Sequence, residues 1–379
     1  PRPTSPACLI SFSEGKRNEH CLFCIPAHGH TNPTLAVVRE LTARGHTVRY
    51  YTTEAFRAKV EAAGAVFVPF DTEAARPGMT AADGARLGSD LAFSTKLIVD
   101  LTLAADDWLS RELTAHRPDV IVGDSMAFWA KLAAKKHGIP FVSSTTTFAF
   151  NRFSAKVIGQ NGAGFLQFLL AQPRINRQLK RLRAAGYAVK SVFDIIANDN
   201  ETETVVYTSP EFQPCADTFS EKYHFVGPLL RPAQSSFEKL PGRSLIYISL
   251  GTVNNDALPF YRACLAAFGG DPRFQLVLSA GTQTDLAAFG PIPESCTVRA
   301  SVDQMAVLDC ADVFLTHCGM NSASEGLWHG LPLVLYPQTP EQHGVANRVA
   351  ALGAGVPLTD PSADGIRRAV ETALTDPAY

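Results

Sequence analysis

Short runs of β-branched and apolar residues alternate along the chain with longer stretches whose apolar residues recur every three or four positions, the periods of strand and helix. In the first half the strand-like runs are Cys21–Ile25, Thr47–Tyr51, Val66–Phe70, Val120–Gly123 and Phe141–Ser144, and helical stretches such as Asn32–Arg44 and Phe56–Ala63 fill the gaps. Gly45 and Gly64 follow those stretches, where a glycine is expected because it enters the left-handed conformation that ends a helix. Such βαβ units predict a parallel sheet covered by helices on both faces. From Asp90 to His116 and from Phe150 to Gly186 the strand pattern is lost and helical spacing continues, as inserted helices walling a pocket would show. A second series opens at Ser244–Ser249 and runs through Phe274–Ser279, Thr297–Ala300, Val313–Thr316 and Leu331–Tyr336, so a second sheet is expected.

Between the two series, Pro228–Arg243 holds Pro232, Ser235, Ser236, Pro241 and Gly242, the composition of a linker. At 379 residues the chain exceeds what one core usually organises, which also favours two domains. The expected division is a loose tail over 1–20, a first Rossmann-like domain over 21–228, a linker over 229–243 and a second Rossmann-like domain over 244–379. A net charge of −2, from 34 basic and 36 acidic residues with no basic block, argues against nucleic acid as a partner. The first twenty residues carry Glu14, Lys16, Arg17 and Glu19 without a sustained apolar stretch, so neither a signal peptide nor a spanning helix is expected there. A cytoplasmic protein is the expectation. Eight cysteines are scattered rather than packed into a framework, and Cys21 and Cys24, though spaced C-x-x-C, lie in an apolar strand-like run that reads as buried structure rather than a redox or zinc site.

Candidate chemistry gathers where strands end. The first strand runs into Pro26-Ala27-His28-Gly29-His30-Thr31-Asn32-Pro33, a strand-to-helix turn with Pro33 expected in the first helical turn. Ligands bind at the carboxyl edge of a parallel sheet, and two imidazoles flanking a glycine there offer a general base. Both histidines satisfying local backbone groups is the structural alternative. A base needs a carboxylate to fix its tautomer, and Asp124, ending the run Val120–Gly123, is the candidate; it also reads as an N-cap of the helix-like Ser125–Lys136.

The densest signal is Thr316-His317-Cys318-Gly319-Met320-Asn321-Ser322-Ala323-Ser324-Glu325-Gly326-Leu327, which follows a strand and opens a helix. The N–H groups of that helix start, with His317, Asn321 and Ser322, form a site for a diphosphate. Glu325, one turn beyond Asn321, is placed to accept both hydroxyls of a ribose. Gln338-Thr339-Pro340-Glu341-Gln342-His343 falls at the next carboxyl edge, where Glu341 and Gln342 offer contacts to sugar hydroxyls, and Ser249-Leu250-Gly251-Thr252 ends the first strand of the second series.

On these residues the chain resembles nucleotide-sugar-dependent glycosyltransferases of the GT-B type, in which two Rossmann-like doubly wound α/β domains face each other across a cleft, and among them the bacterial macrolide and plant secondary-metabolite enzymes. The likeness spans roughly Cys21 to Asp376, and its most specific part is His317–Gln342, similar to the family's donor signature His-Cys-Gly-x-Asn-Ser-x-x-Glu-Gly ending in Glu-Gln. The resemblance implies that His30, in the context His30 to Pro33, is the catalytic base with Asp124 as partner. It implies diphosphate contacts from Thr252, His317, Asn321 and Ser322 with Gly29 and Gly319 lining the donor site, ribose contact from Glu325, and sugar contacts from Glu341 and Gln342. It implies no cofactor and no metal, with a nucleotide diphosphate sugar, UDP-glucose by default, as co-substrate.

Two departures stand out. Where the family has a Trp that stacks on the base, this chain has Ser301-Val302-Asp303-Gln304, so base discrimination is expected to loosen unless another side chain supplies the face. The family closes with a helix returning to the first domain, whereas here a helical stretch near Ile366–Leu374 is followed by Tyr379, so a truncated chain is expected. The implied reaction is a single inverting displacement, with His30 taking the acceptor proton and His317 and its helix offsetting charge on the leaving diphosphate. The implied partners are a nucleotide sugar and a small apolar acceptor, and Phe93, Trp108, Trp129, Phe148, Phe150, Phe153, Phe165 and Phe168 are either its pocket or core. Two other readings stay open: a nucleotide-sugar epimerase, which an acceptor-dependent product would exclude, and a non-catalytic nucleotide-sugar binder, against which His30 and Asp124 speak.

Overall fold

The computed structural model describes residues 17–70, 90–157, 164–198, 200–252 and 255–379. The chain divides into two compact units, Pro1–Leu229 and Leu230–Tyr379. Most of the segment expected as a loose tail, residues 1–16, lies outside the described residues.

Among the described residues of the first unit seven parallel strands, β1 (Glu19–Phe23), β2 (Thr47–Thr52), β3 (Val66–Pro69), β4 (Val120–Asp124), β5 (Phe141–Thr145), β6 (Glu203–Val206) and β7 (Tyr223–Phe225), form one sheet in the order β3-β2-β1-β4-β5-β6-β7. Helices α1 (His28–Ala43), α2 (Arg57–Ala62), α3 (Leu91–His116), α4 (Phe128–His137), α5 (Ser154–Val157), α6 (Gly164–Ala184) and α7 (Phe193–Ile196) accompany it. Strand alternation sends Cys21 and Phe23 to one face, with Leu109, Ile121 and Trp129, and Leu22 and Cys24 to the other, with Val38, Tyr50 and Val60. Helices therefore have to cover both faces. The same alternation puts the two thiols of the C-x-x-C on opposite sides of the sheet, in the arrangement of core residues. The two stretches expected as inserted helices are α3 and α6, and Val99, Leu132, Ile175, Leu179 and Leu182 join them to α4 in a cluster of their own.

In the second unit β8 (Ser244–Ser249), β9 (Phe274–Ser279), β10 (Cys296–Arg299), β11 (Val313–Thr316), β12 (Leu333–Leu335) and β13 (Gly355–Pro357) are parallel in the order β10-β9-β8-β11-β12-β13. Helices α8 (Leu258–Phe268), α9 (Gln304–Leu308), α10 (Met320–Trp328), α11 (Pro340–Ala351) and α12 (Ala363–Thr375) connect them. Both sheets thus run outward in two directions from their first strand, and the strand order reverses between β1 and β4 in one and between β8 and β11 in the other. In doubly wound folds ligands bind at the carboxyl ends of the two strands flanking such a reversal.

The segment read as a linker is hydrogen-bonded into the second unit: Arg231, Gln234 and Ser235 onto Asp303, Lys239 onto Asp312, and the Leu240 N–H onto the side chain of Gln275. Of the aromatics offered as pocket or core, Trp129 and Phe148 are buried, Trp108 packs against the core of the first unit, and Phe150 and Phe153 are 48% and 41% exposed. The side chains of Phe165 and Phe168 lie outside the described residues.

Candidate active site

The first unit carries its chemistry at its strand reversal. β1 leads through Ala27, whose extended backbone turns the chain and whose carbonyl accepts from the N–H groups of His30 and Thr31, so α1 starts at His28. This corrects the expected start at Asn32: Pro33 stands inside the helix, and His28, Gly29 and His30 form its first turn rather than a preceding loop. Beside β1, β4 ends on Asp124, which is 2% exposed. Its Oδ2 lies 2.7 Å from His30 Nδ1, and its Oδ1 accepts from the Met126 N–H at 2.8 Å. A carboxylate at that distance holds the imidazole proton on Nδ1 and leaves the lone pair on Nε2, as a general base requires. Asp124 is not the N-cap expected of it; Ala127 holds that position on α4, while Asp124 closes the turn before it through its carbonyl and Oδ1.

Thr146, buried and one residue past β5, places Oγ1 2.9 Å from the same Nδ1. Sequence reasoning missed it, because the run Thr145-Thr146-Thr147 reads as an ordinary strand end. The usable signal was its position at a third carboxyl edge next to β4. His28 points elsewhere: its Nδ1 is 3.2 Å from Lys59 Nζ and its ring lies 5.0 Å from that of Phe56. Burial and the Lys59 charge hold its pKa below the ordinary value. Gly29 is exposed, and a Cβ there would meet nothing within 4 Å.

The second unit repeats the plan. Ser249 and Thr316 stand in register at the carboxyl ends of β8 and β11, and the loops that follow bring Gly251 and Gly319 to either contact of one imidazole, His317. A Cβ on Gly251 would come within 2.5 Å of His317 Nε2, and one on Gly319 within 2.6 Å, so glycine at both positions is what admits the ring. Gly251 also has φ +80°, and Cys318 between His317 and Gly319 holds φ +64°. Asn255, fully buried, fixes the Gly251 loop by donating to the Gly251 carbonyl at 3.0 Å. Burial lowers the His317 pKa to about 4. The ring is therefore neutral at physiological pH and can supply a hydrogen bond but no net charge. Its Nδ1 is buried without a hydrogen-bond partner.

Gly319 is the N-cap of α10 and provides no capping side chain. The N-terminal dipole of that helix is thus available to an anion. Along α10, Ser322 and Glu325 meet the carboxamide of Gln304. Its Nε2 donates to Glu325 Oε2 and lies 3.4 Å from Ser322 Oγ, while its Oε1 accepts from the buried Tyr247 hydroxyl at 3.0 Å. Burial pushes the Glu325 carboxyl above the usual range, with the Gln304 bond pulling the other way. Asn321 is half-buried on the same first turn. Thr252 is exposed beyond Gly251.

Glu341 and Gln342 open α11. Gln342 is committed to a capping box: its N–H donates to Thr339 Oγ1, and its Oε1 accepts from the N–H groups of Gln338 and Thr339 at 2.8 and 3.2 Å. Its carboxamide N–H₂ is what it has left for a sugar. Glu341 is exposed in that first turn. Sequence reasoning did not find Gln304, Tyr247 or Asn255, whose parts depend on loops distant in sequence.

The family model described as "UDP-glucoronosyl and UDP-glucosyl transferase" matches residues 298–379, the span containing His317, Glu325 and Gln342. The NDP-glycosyltransferase YjiC of Bacillus licheniformis is 33% identical over 365 residues, covering 94% of this chain and 89% of that protein. This chain belongs to that glycosyltransferase family. Among solved structures, the glycotransferase of kitacinnamycin matches with a TM-score of 0.80 at 29% identity, covering 96% of this chain and 92% of its own. CalG4, the calicheamicin glycosyltransferase, matches with a TM-score of 0.79 at 29% identity over 96% and 91%. The two Rossmann-like parallel-sheet units of this glycosyltransferase are therefore those of the GT-B fold, with His30–Asp124 at one strand reversal and His317 at the other.

Proposed function

We propose that this glycosyltransferase transfers a hexosyl group, with inversion, from UDP-glucose to a hydroxyl of a small apolar natural product. The observation that carries the reading is the 2.7 Å contact between His30 Nδ1 and the buried Asp124. It makes Nε2 a base for the acceptor hydroxyl and stabilises the imidazolium formed as that oxygen attacks the anomeric carbon. The nucleoside diphosphate leaves from the opposite face, so an α-linked donor gives a β-glycoside. At the second unit the N-terminus of α10 and a hydrogen bond from neutral His317 take the charge that develops on the departing diphosphate, the task a metal would otherwise have.

Glu325, steadied by Gln304, accepts the ribose hydroxyls, Asn321, Ser322, Thr252 and the Gly319 backbone meet the diphosphate, and Glu341 with the Gln342 amide meets the sugar. An apolar acceptor is supported by Met126, Phe150 and Phe153, 48%, 48% and 41% exposed on the loops that leave β4 and β5 beside Asp124 and Thr146. The names of the relatives favour a nucleotide-activated sugar and a natural product as partners. No described helix is long and apolar enough to cross a membrane. The seven described cysteines are free thiols, which suits a reducing compartment, and we place the protein in the cytoplasm.

The test pairs His30→Ala with Glu325→Ala. His30→Ala is expected to abolish most transfer while UDP binding, followed by calorimetry, stays within twofold. Glu325→Ala is expected to weaken UDP binding while leaving the turnover at saturating donor far less affected. Full turnover in His30→Ala, or unchanged UDP affinity in Glu325→Ala, would refute the corresponding role.

A further inference from the structure

The donor roles leave one cation at the Gln304 hub unused. Asp303 caps the approach to α9 and accepts four hydrogen bonds from the preceding segment: Arg231 Nη1 at 3.0 Å, the N–H groups of Gln234 and Ser235 at 2.5 and 2.9 Å, and Ser235 Oγ at 3.2 Å. This staple ties Arg231 to the residue before Gln304, whose carboxamide joins Tyr247, Ser322 and Glu325. The Arg231 side chain is 35% exposed although its counterion is only 13% exposed, so the guanidinium emerges from a buried anchor. Among the described residues only its Nη1 has a partner, which leaves the rest of the planar fork unengaged. Its charge favours the ionised form of both Glu325 and Tyr247. Ser301, exposed and small, presents no planar face nearby.

We propose that Arg231, anchored by Asp303, is the residue that reads the nucleobase of the donor, donating from the unengaged part of its guanidinium to a carbonyl oxygen of a pyrimidine dione. A guanidinium holds its donors in a fixed, directed fork, which an ammonium lacks. The inference rests on Glu325 as the ribose ligand: the base is joined to the ribose, and Arg231 is tied to Asp303, the residue next to Gln304, which holds Glu325. Adenine has no carbonyl oxygen to offer, so Arg231 distinguishes uracil or thymine from adenine.

The test is calorimetric titration of UDP, ADP and inorganic pyrophosphate into the wild type, Arg231→Met and Arg231→Lys, with circular dichroism to establish that each variant is folded. Arg231→Met is expected to weaken UDP about tenfold, the worth of one charged hydrogen bond, and to change ADP and pyrophosphate by less than about twofold, so the preference for UDP over ADP collapses. Arg231→Lys is expected to behave as Arg231→Met. Pyrophosphate weakening in step with UDP, with rescue by Lys, would show a plain charge effect on the diphosphate and overturn the proposal, as would unchanged UDP affinity in folded Arg231→Met. A wild type that binds none of the three ligands overturns the donor-site reading itself, an outcome distinct from either of these.

Discussion

Asp124→Asn isolates the electrostatic part of the base assignment, because the amide is isosteric with the carboxylate it replaces. In the wild type Oδ1 accepts from the Met126 N–H and Oδ2 from His30. The amide keeps its oxygen towards Met126, since the flipped orientation sets two donors against each other. Its nitrogen then faces His30 Nδ1 and donates to it, moving the ring proton to Nε2, where it blocks the base. The variant also loses the buried charge that stabilises the imidazolium. Two unit charges about 4 Å apart at an effective dielectric of about 20 interact by roughly 4 kcal/mol, or about a thousandfold in rate. At saturating donor and acceptor, kcat is accordingly expected to fall about a thousandfold, with UDP affinity unchanged and the melting temperature within a few degrees of wild type. Acceptor-dependent release of UDP in a coupled assay gives the rates. A kcat within tenfold of wild type in a folded variant would refute the role given to Asp124.

Thr146→Val removes one neutral hydrogen bond to the base, and a loss of about fivefold in kcat is expected, recovered in Thr146→Ser. A Val variant as active as wild type across pH 6 to 9 would show the hydroxyl to be idle. Gly251→Ala forces a Cβ into contact with His317 at a φ of +80°, so donor KM is expected to rise at least tenfold, together with about 1–2 kcal/mol of lost stability; unchanged donor KM would mean that the position of His317 does not matter. His20 and His317 both have pKa values lowered to about 4 by burial, against an ordinary 6.5. The unfolded chain therefore binds more protons between pH 6.5 and 4, and stability is lost as pH falls through that window, by up to roughly 3 kcal/mol per histidine. His317→Gln is expected to flatten the acid dependence of the melting temperature, and an unaltered profile would contradict its buried neutral state.

The strand-ending loops were legible because a parallel sheet puts them all at one edge, so short motifs could be assigned places before any coordinates. The apolar runs Ser244–Ser249, Phe274–Ser279 and Val313–Thr316 coincide with β8, β9 and β11. By contrast β6, β7 and β13, edge or near-edge strands of three or four residues, carry too few apolar positions to establish a period of two. The start of α1 differs from the expected one because Pro33 reads as a helix-starting signal, whereas the Ala27 carbonyl already begins the hydrogen-bond ladder. His30 and Asp124, 94 residues apart, were paired by chemistry, and neighbouring strands make that pairing geometric. What no local pattern held was the contacts of Thr146, Gln304 and Arg231, which depend on which loops the sheet order makes neighbours. Gln342 shows the reverse case, a residue picked for sugar binding whose oxygen is already committed to capping its own helix.

The central claim, transfer of a sugar from a nucleotide diphosphate to an apolar hydroxyl compound, is tested most directly by mass spectrometry of the purified protein with a panel of nucleotide sugars and aromatic, macrolide and steroid alcohols. Acceptor masses raised by one sugar residue are expected, with stoichiometric release of nucleoside diphosphate, for UDP-glucose above the other donors and only when acceptor and intact His30 are both present. Conversion of the nucleotide sugar to an isomer without any acceptor, or a protein that binds the donor and glycosylates nothing in the panel, would contradict it.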